Sequence, residues 1–130
     1  MNDATIERLI ILRLMEWEGY GDGSRFELEN VNFEIPSDGH WYRATVQQGT
    51  NLMSGMADQP MTRELGALVI QMFWEKNQMT YKLKALADSL GKHFQYYQKD
   101  KLTMLTASGI NVGETDKGYQ YNVRVPFRYN

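Results

Sequence analysis

The closing segment constrains the fold most. Tyr119, Tyr121, Val123, Val125, Phe127 and Tyr129 alternate with Gln120, Asn122, Arg124, Pro126 and Arg128. Successive side chains of a strand point to opposite faces, so this alternation sets an apolar face on a core and a polar face away from it. A β-sheet with at least one covered face satisfies that pattern. Proline removes a ladder donor, so Pro126 predicts that the strand lies at a sheet edge or leaves the ladder there.

A second stretch belongs in the middle of such a sheet. Leu65, Ala67, Val69 and Phe73 point one way, while Leu68, Ile70, Met72 and Trp74 point the other. A strand apolar on both faces is central, or one of its faces meets a partner. Val31-Asn32-Phe33-Glu34-Ile35 alternates and stops at Pro36, and Trp41 to Gln47 is rich in aromatic and β-branched residues; both read as strands. Ser37-Asp38-Gly39-His40 between them is turn chemistry. Leu102 to Ser108 reads as a further strand, with Asn111-Val112-Gly113 and Thr115-Asp116-Lys117-Gly118 forming the connection to the last one.

Two helices frame these strands. Asp3 is the expected N-cap of the first, in which Ile6, Leu9, Ile10, Leu14 and Trp17 recur at helical spacing. Ile11, Leu12 and Met15 widen the apolar arc, so the helix needs cover on more than one side. A sheet plus a neighbouring subunit would provide it, as would a sheet plus a long loop. Gly19-Tyr20-Gly21-Asp22-Gly23 ends the helix. In the second helix, opened by Thr80, the residues Leu83, Leu86, Ala87, Leu90, Phe94 and Tyr97 form one stripe, with Lys82, Lys84, Asp88 and Lys92 on the wet side. The order is α-β-β-β-α-β-β: a single small α+β domain, with an antiparallel or mixed sheet of about five strands packed by two helices. A length of 130 residues suits one domain.

Between the second and third strands lies a long polar stretch, Gln48 to Thr62, holding Gly49, Gly55 and Pro60 together with Met53, Met56 and Met61. It reads as a loop, and loops of this length in compact domains are often functional.

Charge and composition narrow the chemistry. With no cysteine, disulfides, thiolate metal sites and thiol catalysis are excluded. The net charge of −2 argues against duplex binding driven by charge alone. It conceals a split, because residues 1–60 carry a net −6 and residues 61–130 a net +4. Opposite faces of that kind either pair between copies or neutralise each other within one copy. Met1 to Thr5 is not basic, and no apolar run approaches the roughly 20 residues of a membrane-spanning helix, so a soluble protein used without export is expected.

Catalytic and metal patterns are thin. His40 and His93 stand half the chain apart, and a zinc site needs about three or four ligands at close spacing. No G-x-S-x-G elbow occurs, and Ser37-Asp38-Gly39-His40 is too short a turn to arrange a relay. The glycines at 19, 21 and 23 follow a helix rather than a strand, which is the wrong order for a phosphate cradle. The pairs Glu16/Glu18 and Glu27/Glu29 have no apolar surroundings that would raise a carboxyl pKa. Lys82, Lys84, Lys92, Lys99 and Lys101 with Phe94, Tyr96 and Tyr97 could form a basic-aromatic patch for single-stranded nucleic acid, yet Phe94 and Tyr97 also continue the core stripe with the lysines as its solvated back. The over-apolar first helix, the methionine-bearing stretch, the two-faced strand and the charge split together favour an interaction protein over an enzyme.

The sequence resembles the tail terminator (tail completion) proteins of long-tailed bacteriophages. The matching stretches are Glu29-Asn30-Val31-Asn32-Phe33-Glu34-Ile35-Pro36, Trp41-Tyr42-Arg43, Arg63 through Phe73, Ala85-Leu86-Ala87-Asp88-Ser89-Leu90 with Phe94, and Tyr119 through Tyr129. The chain departs from the family pattern at Glu75-Lys76-Asn77-Gln78-Met79, where members often carry glycines. The resemblance implies a homo-oligomeric ring, usually a hexamer, that caps the head-proximal end of the tail tube. It would stop tube polymerisation and offer a surface for a head-tail connector or neck protein. No catalysis, cofactor or metal is implied, and genome DNA would cross the ring without specific contact. The implied location is the virion tail, after assembly in the host cytoplasm, with no membrane partner. On this reading Met53, Met56 and Met61 are the candidates for docking on the tube protein, and Arg63, Trp74 and Arg124 for contacts between subunits. The competing readings are another phage neck protein (a connector or stopper) and, more distantly, a small enzyme or a single-strand binder.

Overall fold

A computed structural model describes residues 2–54, 61–76 and 78–130, with side chains described outside 50–63. In chain order the elements are α1 (Asp3–Met15), a 3-10 turn (Glu18–Tyr20), β1 (Phe26–Glu27), β2 (Trp41–Ser54), β3 (Met61–Trp74), α2 (Tyr81–Phe94), β4 (Gln98–Lys99), β5 (Leu102–Met104), β6 (Ser108–Thr115) and β7 (Gly118–Tyr129). The strands form one mixed sheet in the order β1-β2-β3-β7-β5-β4, and β6 also pairs with β7. Only the short β1–β2 pair is parallel. The α+β class expected from the sequence holds, with seven strands in place of about five.

Both helices pack on one face of the sheet. Ile6, Ile10 and Leu14 of α1 and Leu83, Ala87, Leu90 and Phe94 of α2 are buried in one core with Leu68, Ile70, Met72, Val123, Val125 and Phe127. The helix ends are tied as well. Arg13 donates from Nε (3.1 Å) and from a terminal nitrogen (2.7 Å) to the His93 carbonyl in the last turn of α2, where the helix dipole favours a cation. The guanidinium also lies 4.2 Å from the Tyr97 ring centre. His93 Nε2 sits 2.6 Å from the Arg13 carbonyl; a carbonyl only accepts, so Nε2 carries the proton. Trp17 Nε1 donates to Ser89 Oγ at 3.0 Å.

Four sequence expectations change. The stretch at 48–62 is largely strand rather than loop, because β2 continues to Ser54 and β3 already starts at Met61. The register shifts between Gln48 and Asn51. A Cβ at Gly49 would collide with the Leu65 carbonyl, so the glycine that reads as a loop signal instead permits close backbone approach inside the hairpin. Residues 31–35 form no strand: Asn30 takes a left-handed φ of 59°, Val31 N–H closes a turn on the Leu28 carbonyl, and the paired residues are Phe26 and Glu27. The expected connection at Asn111-Val112-Gly113 lies inside β6, and the turn to β7 is at residues 116–117. At the first helix the N-cap is Asn2, and Asp3 is the first helical residue.

Pro126 lies in a strand flanked on both sides, opposite Ala67 of β3. Its carbonyl accepts from Leu105 N–H at 2.8 Å, so its missing N–H faces the same side. That side is where β7 changes partner, from β6 at Arg124 to β5 at Phe127. The proline therefore leaves the ladder without sitting at an edge.

Candidate functional site

The face of the sheet opposite the helices carries no second layer among the described residues. The register aligns Trp41, Arg43, Thr45 and Gln47 of β2 with Phe73, Gln71, Val69 and Ala67 of β3. Gln120, Asn122, Arg124, Pro126 and Arg128 of β7 lie across from Phe73, Gln71, Val69, Ala67 and Leu65. The alternation of β7 thus puts its apolar set under the helices and its polar set on the bare side.

The two ends of this face differ. At one end aromatic stacking closes the surface. Trp41 stacks on Phe73 at 4.2 Å between ring centres, and Phe33 leans on Trp41 at 5.5 Å. Arg43 lies over both Trp41 and Phe73 and pairs with Glu27 through Nε at 2.9 Å. At the other end a hollow of about 480 Å³ is lined by Gln47, Gly49, Leu65, Ala67, Leu105, Arg124 and Pro126, among others. Its floor is apolar and its rim carries the exposed cation of Arg124. Nearby on the same strand, Arg128 Nε is buried with no hydrogen-bond partner. A buried donor left unmade costs about 1–3 kcal/mol. This face combines apolar area with an arginine at either end, and among the described residues it carries no convergent acid-base pair.

The sequence candidates fall in different places. Arg124 lines the hollow. Trp74 is on the opposite side of β3, 8% exposed, and stacks on His40 at 3.7 Å. Arg63 pairs in register with Leu52, Met53 with Thr62, and Met61 with Ser54, all in the distal part of the β2–β3 hairpin. Met56 lies outside the described residues. Thus Arg124 and Trp74 do not share a surface. The two histidines serve structure: His93 joins the helices, and His40 stacks on Trp74 and meets Glu75 N–H through Nδ1 at 3.5 Å. Among the described residues no three His, Asp or Glu side chains gather as a metal site would need, and no helix is long and apolar enough to cross a membrane.

The turn before β2 holds the most perturbed acid. Arg25 grips Asp38 through both terminal nitrogens at 2.9 and 2.8 Å. That grip, with the His40 backbone N–H, holds the Asp38 carboxyl down at about 2, and the Asp38 contact raises Arg25 in turn. Burial pushes the Tyr42 hydroxyl up. All three groups brace the start of β2 rather than face a cleft.

The class of protein is thus a small α+β domain, a mixed sheet covered by helices on one face and without a second layer on the other among the described residues. Residues 5–127 match the family described as "Phage tail terminator protein". The chain belongs to that family, and its role is a structural one in a phage tail. One solved structure covers 100% of this chain and 96% of its own at a TM-score of 0.75 and 16% identity, a likeness of fold alone. No curated protein matches the sequence.

Proposed function

We propose that the chain forms a ring, six copies in the simplest case, that caps the head-proximal end of the tail tube. The ring ends tube polymerisation and gives the head-side neck proteins a surface to join, with no catalytic step. Genome DNA crosses its opening without specific contact. The family match over nearly the whole chain carries this reading, and the bare sheet face supports it. A cyclic ring uses a heterologous contact, one patch meeting a different patch of the next copy. Arg124 and the apolar hollow beside it serve as one such patch.

The β2–β3 hairpin supplies a second contact. Pairing of β3 with β7 begins at Glu64 opposite Tyr129, whereas pairing with β2 runs on to Met61 opposite Ser54. The hairpin therefore overhangs β7 by residues 61–63, about 10 Å at strand rise. The region around Met53, Met56 and Met61, with Arg63 beside it, is the part that docks on the tube. Replacing residues 53–61 by a tight turn is expected to leave the subunit folded and to abolish capping, read as the length distribution of tubes by electron microscopy. Tubes still capped by the shortened protein refute the docking role. A wild-type chain that stays monomeric in native mass spectrometry, alone and with tubes, refutes the ring.

A further inference from the structure

Residues 31–35 have a strand's sequence but no strand's bonds. None of residues 32–35 makes a backbone hydrogen bond among the described residues. Val31 and Ile35 are 59% and 61% exposed, and Pro36 biases Ile35 toward extended backbone. Phe33 anchors the segment on Trp41, beyond β1 at one margin of the sheet.

The opposite margin presents the complementary problem. Among the described residues strand β6 pairs with β7 alone, which leaves its other edge unpaired there. It is eight residues long, contains no lysine or proline, and exposes Ile110 and Val112. Protein edges of this length are ordinarily blunted by charge or proline, or else paired. The bulge near Asn111 and Gly113 and the single exposed charge of Glu114 are what blunts it among the described residues.

Charge bears on how the two margins can meet. Exposed Glu34 lies within the unpaired segment, and exposed Glu29 precedes it. Around the Ser108 end of β6 stand Lys92 and Asp88, which share a hollow with Ser108 and Gly109, and Arg124, which lies opposite Ser108. Glu114, Asp116 and Lys117 lie at the other end.

We propose that residues 31–35 of one copy add as a strand to the free edge of β6 in the next copy. An antiparallel approach brings Glu34 to the Lys92–Arg124 end and keeps it from Glu114, and sets Glu29, outside the added strand, toward the end that carries Glu114 and Lys117. Because the two margins are opposite and different, the contact is head-to-tail and repeats around a ring. This inference rests on the ring reading above and specifies how its subunits join.

Two measurements test it on the full chain. In hydrogen exchange, the amides of 32–35 are expected to be unprotected in the monomer and protected in the assembled protein. Neighbouring residues of an added strand bond on opposite sides, so Glu34→Pro and Ile35→Pro together sample both sides. Neither N–H has a backbone partner among the described residues, so both variants are expected to keep the wild-type melting temperature. At least one is expected to weaken assembly about tenfold or more in native mass spectrometry. Wild-type rings without protection at 32–35, or rings formed equally well by both proline variants, overturn the strand addition and leave the ring standing. A wild type that forms no ring even with tubes overturns both.

Discussion

The two faces of the sheet differ although the same strands build both. Under the helices, Leu68, Ile70, Met72, Val123 and Val125 are sealed by α1 and α2. On the other side, Thr45, Leu65, Val69 and Gln71 stay half-exposed and Gln47 exposed, and no helix or strand layer lies over them among the described residues. The covered face stabilises the subunit by removing apolar area from water. On the bare face Trp41, Ala67 and Phe73 are buried too, but the stretch around Val69, Leu65 and Gln47 adds less to that, so its composition is free to serve contacts with other molecules. A strand apolar on both sides, such as β3, is where the two uses meet.

That contrast can be broken most directly by truncation. Ile70→Ala, at a fully buried site, is expected to cost about 2–5 kcal/mol in denaturant unfolding. Val69→Ala on the neighbouring position is expected to cost less than about 1 kcal/mol. Equal costs would mean that the bare face is not bare in solution.

Smaller losses sharpen the picture. Arg13→Ala removes two hydrogen bonds to the His93 carbonyl and is expected to cost about 1.5–3 kcal/mol. Arg13→Lys should recover only part of it, since a lysine cannot donate two bonds in a fixed fork.

The Arg25–Asp38 pair is next. Both side chains are 41% exposed, so solvent screening limits the pair to no more than about 1 kcal/mol. The folded carboxyl titrates near 2, below its value in the unfolded chain. Its stabilisation is therefore full above about pH 4 and lost as pH falls toward 2. Asp38→Asn should flatten that part of an acid-unfolding curve.

The smallest stability effect is expected on the bare face. Arg124→Glu should move stability by no more than about 0.5 kcal/mol while reducing assembly in native mass spectrometry. Unchanged assembly removes Arg124 from the subunit contact.

The sequence disclosed what periodicity controls. The stripe of α2 and the alternation of β7 survive in the structure because each places one apolar face on the core. Local chemistry misled where pairing overrides it. Gln48, Gly49 and Thr50 look like loop, yet Gln48 pairs with Gly66 and Asn51 with Glu64, so the strand runs through them with a shift of register. Val31-Asn32-Phe33-Glu34-Ile35 looks like strand, yet the subunit gives it no partner. The Arg13–His93 lock spans 80 residues of chain, and nothing local announces it. The bare face was half legible: β3 showed two apolar sides, but which one would lack cover depended on where both helices landed.

Pro126 has one more consequence. Strands β5 and β6 could in principle run on into each other along β7. With no donor at 126, the backbone at residues 105–107 has nothing to receive there, and the ladder is interrupted. A single imino acid thus interrupts the wall beside β7, and the hollow on the sheet face next to it, lined by Leu105, Pro126, Ala67 and Leu65, is where a visiting side chain would find room.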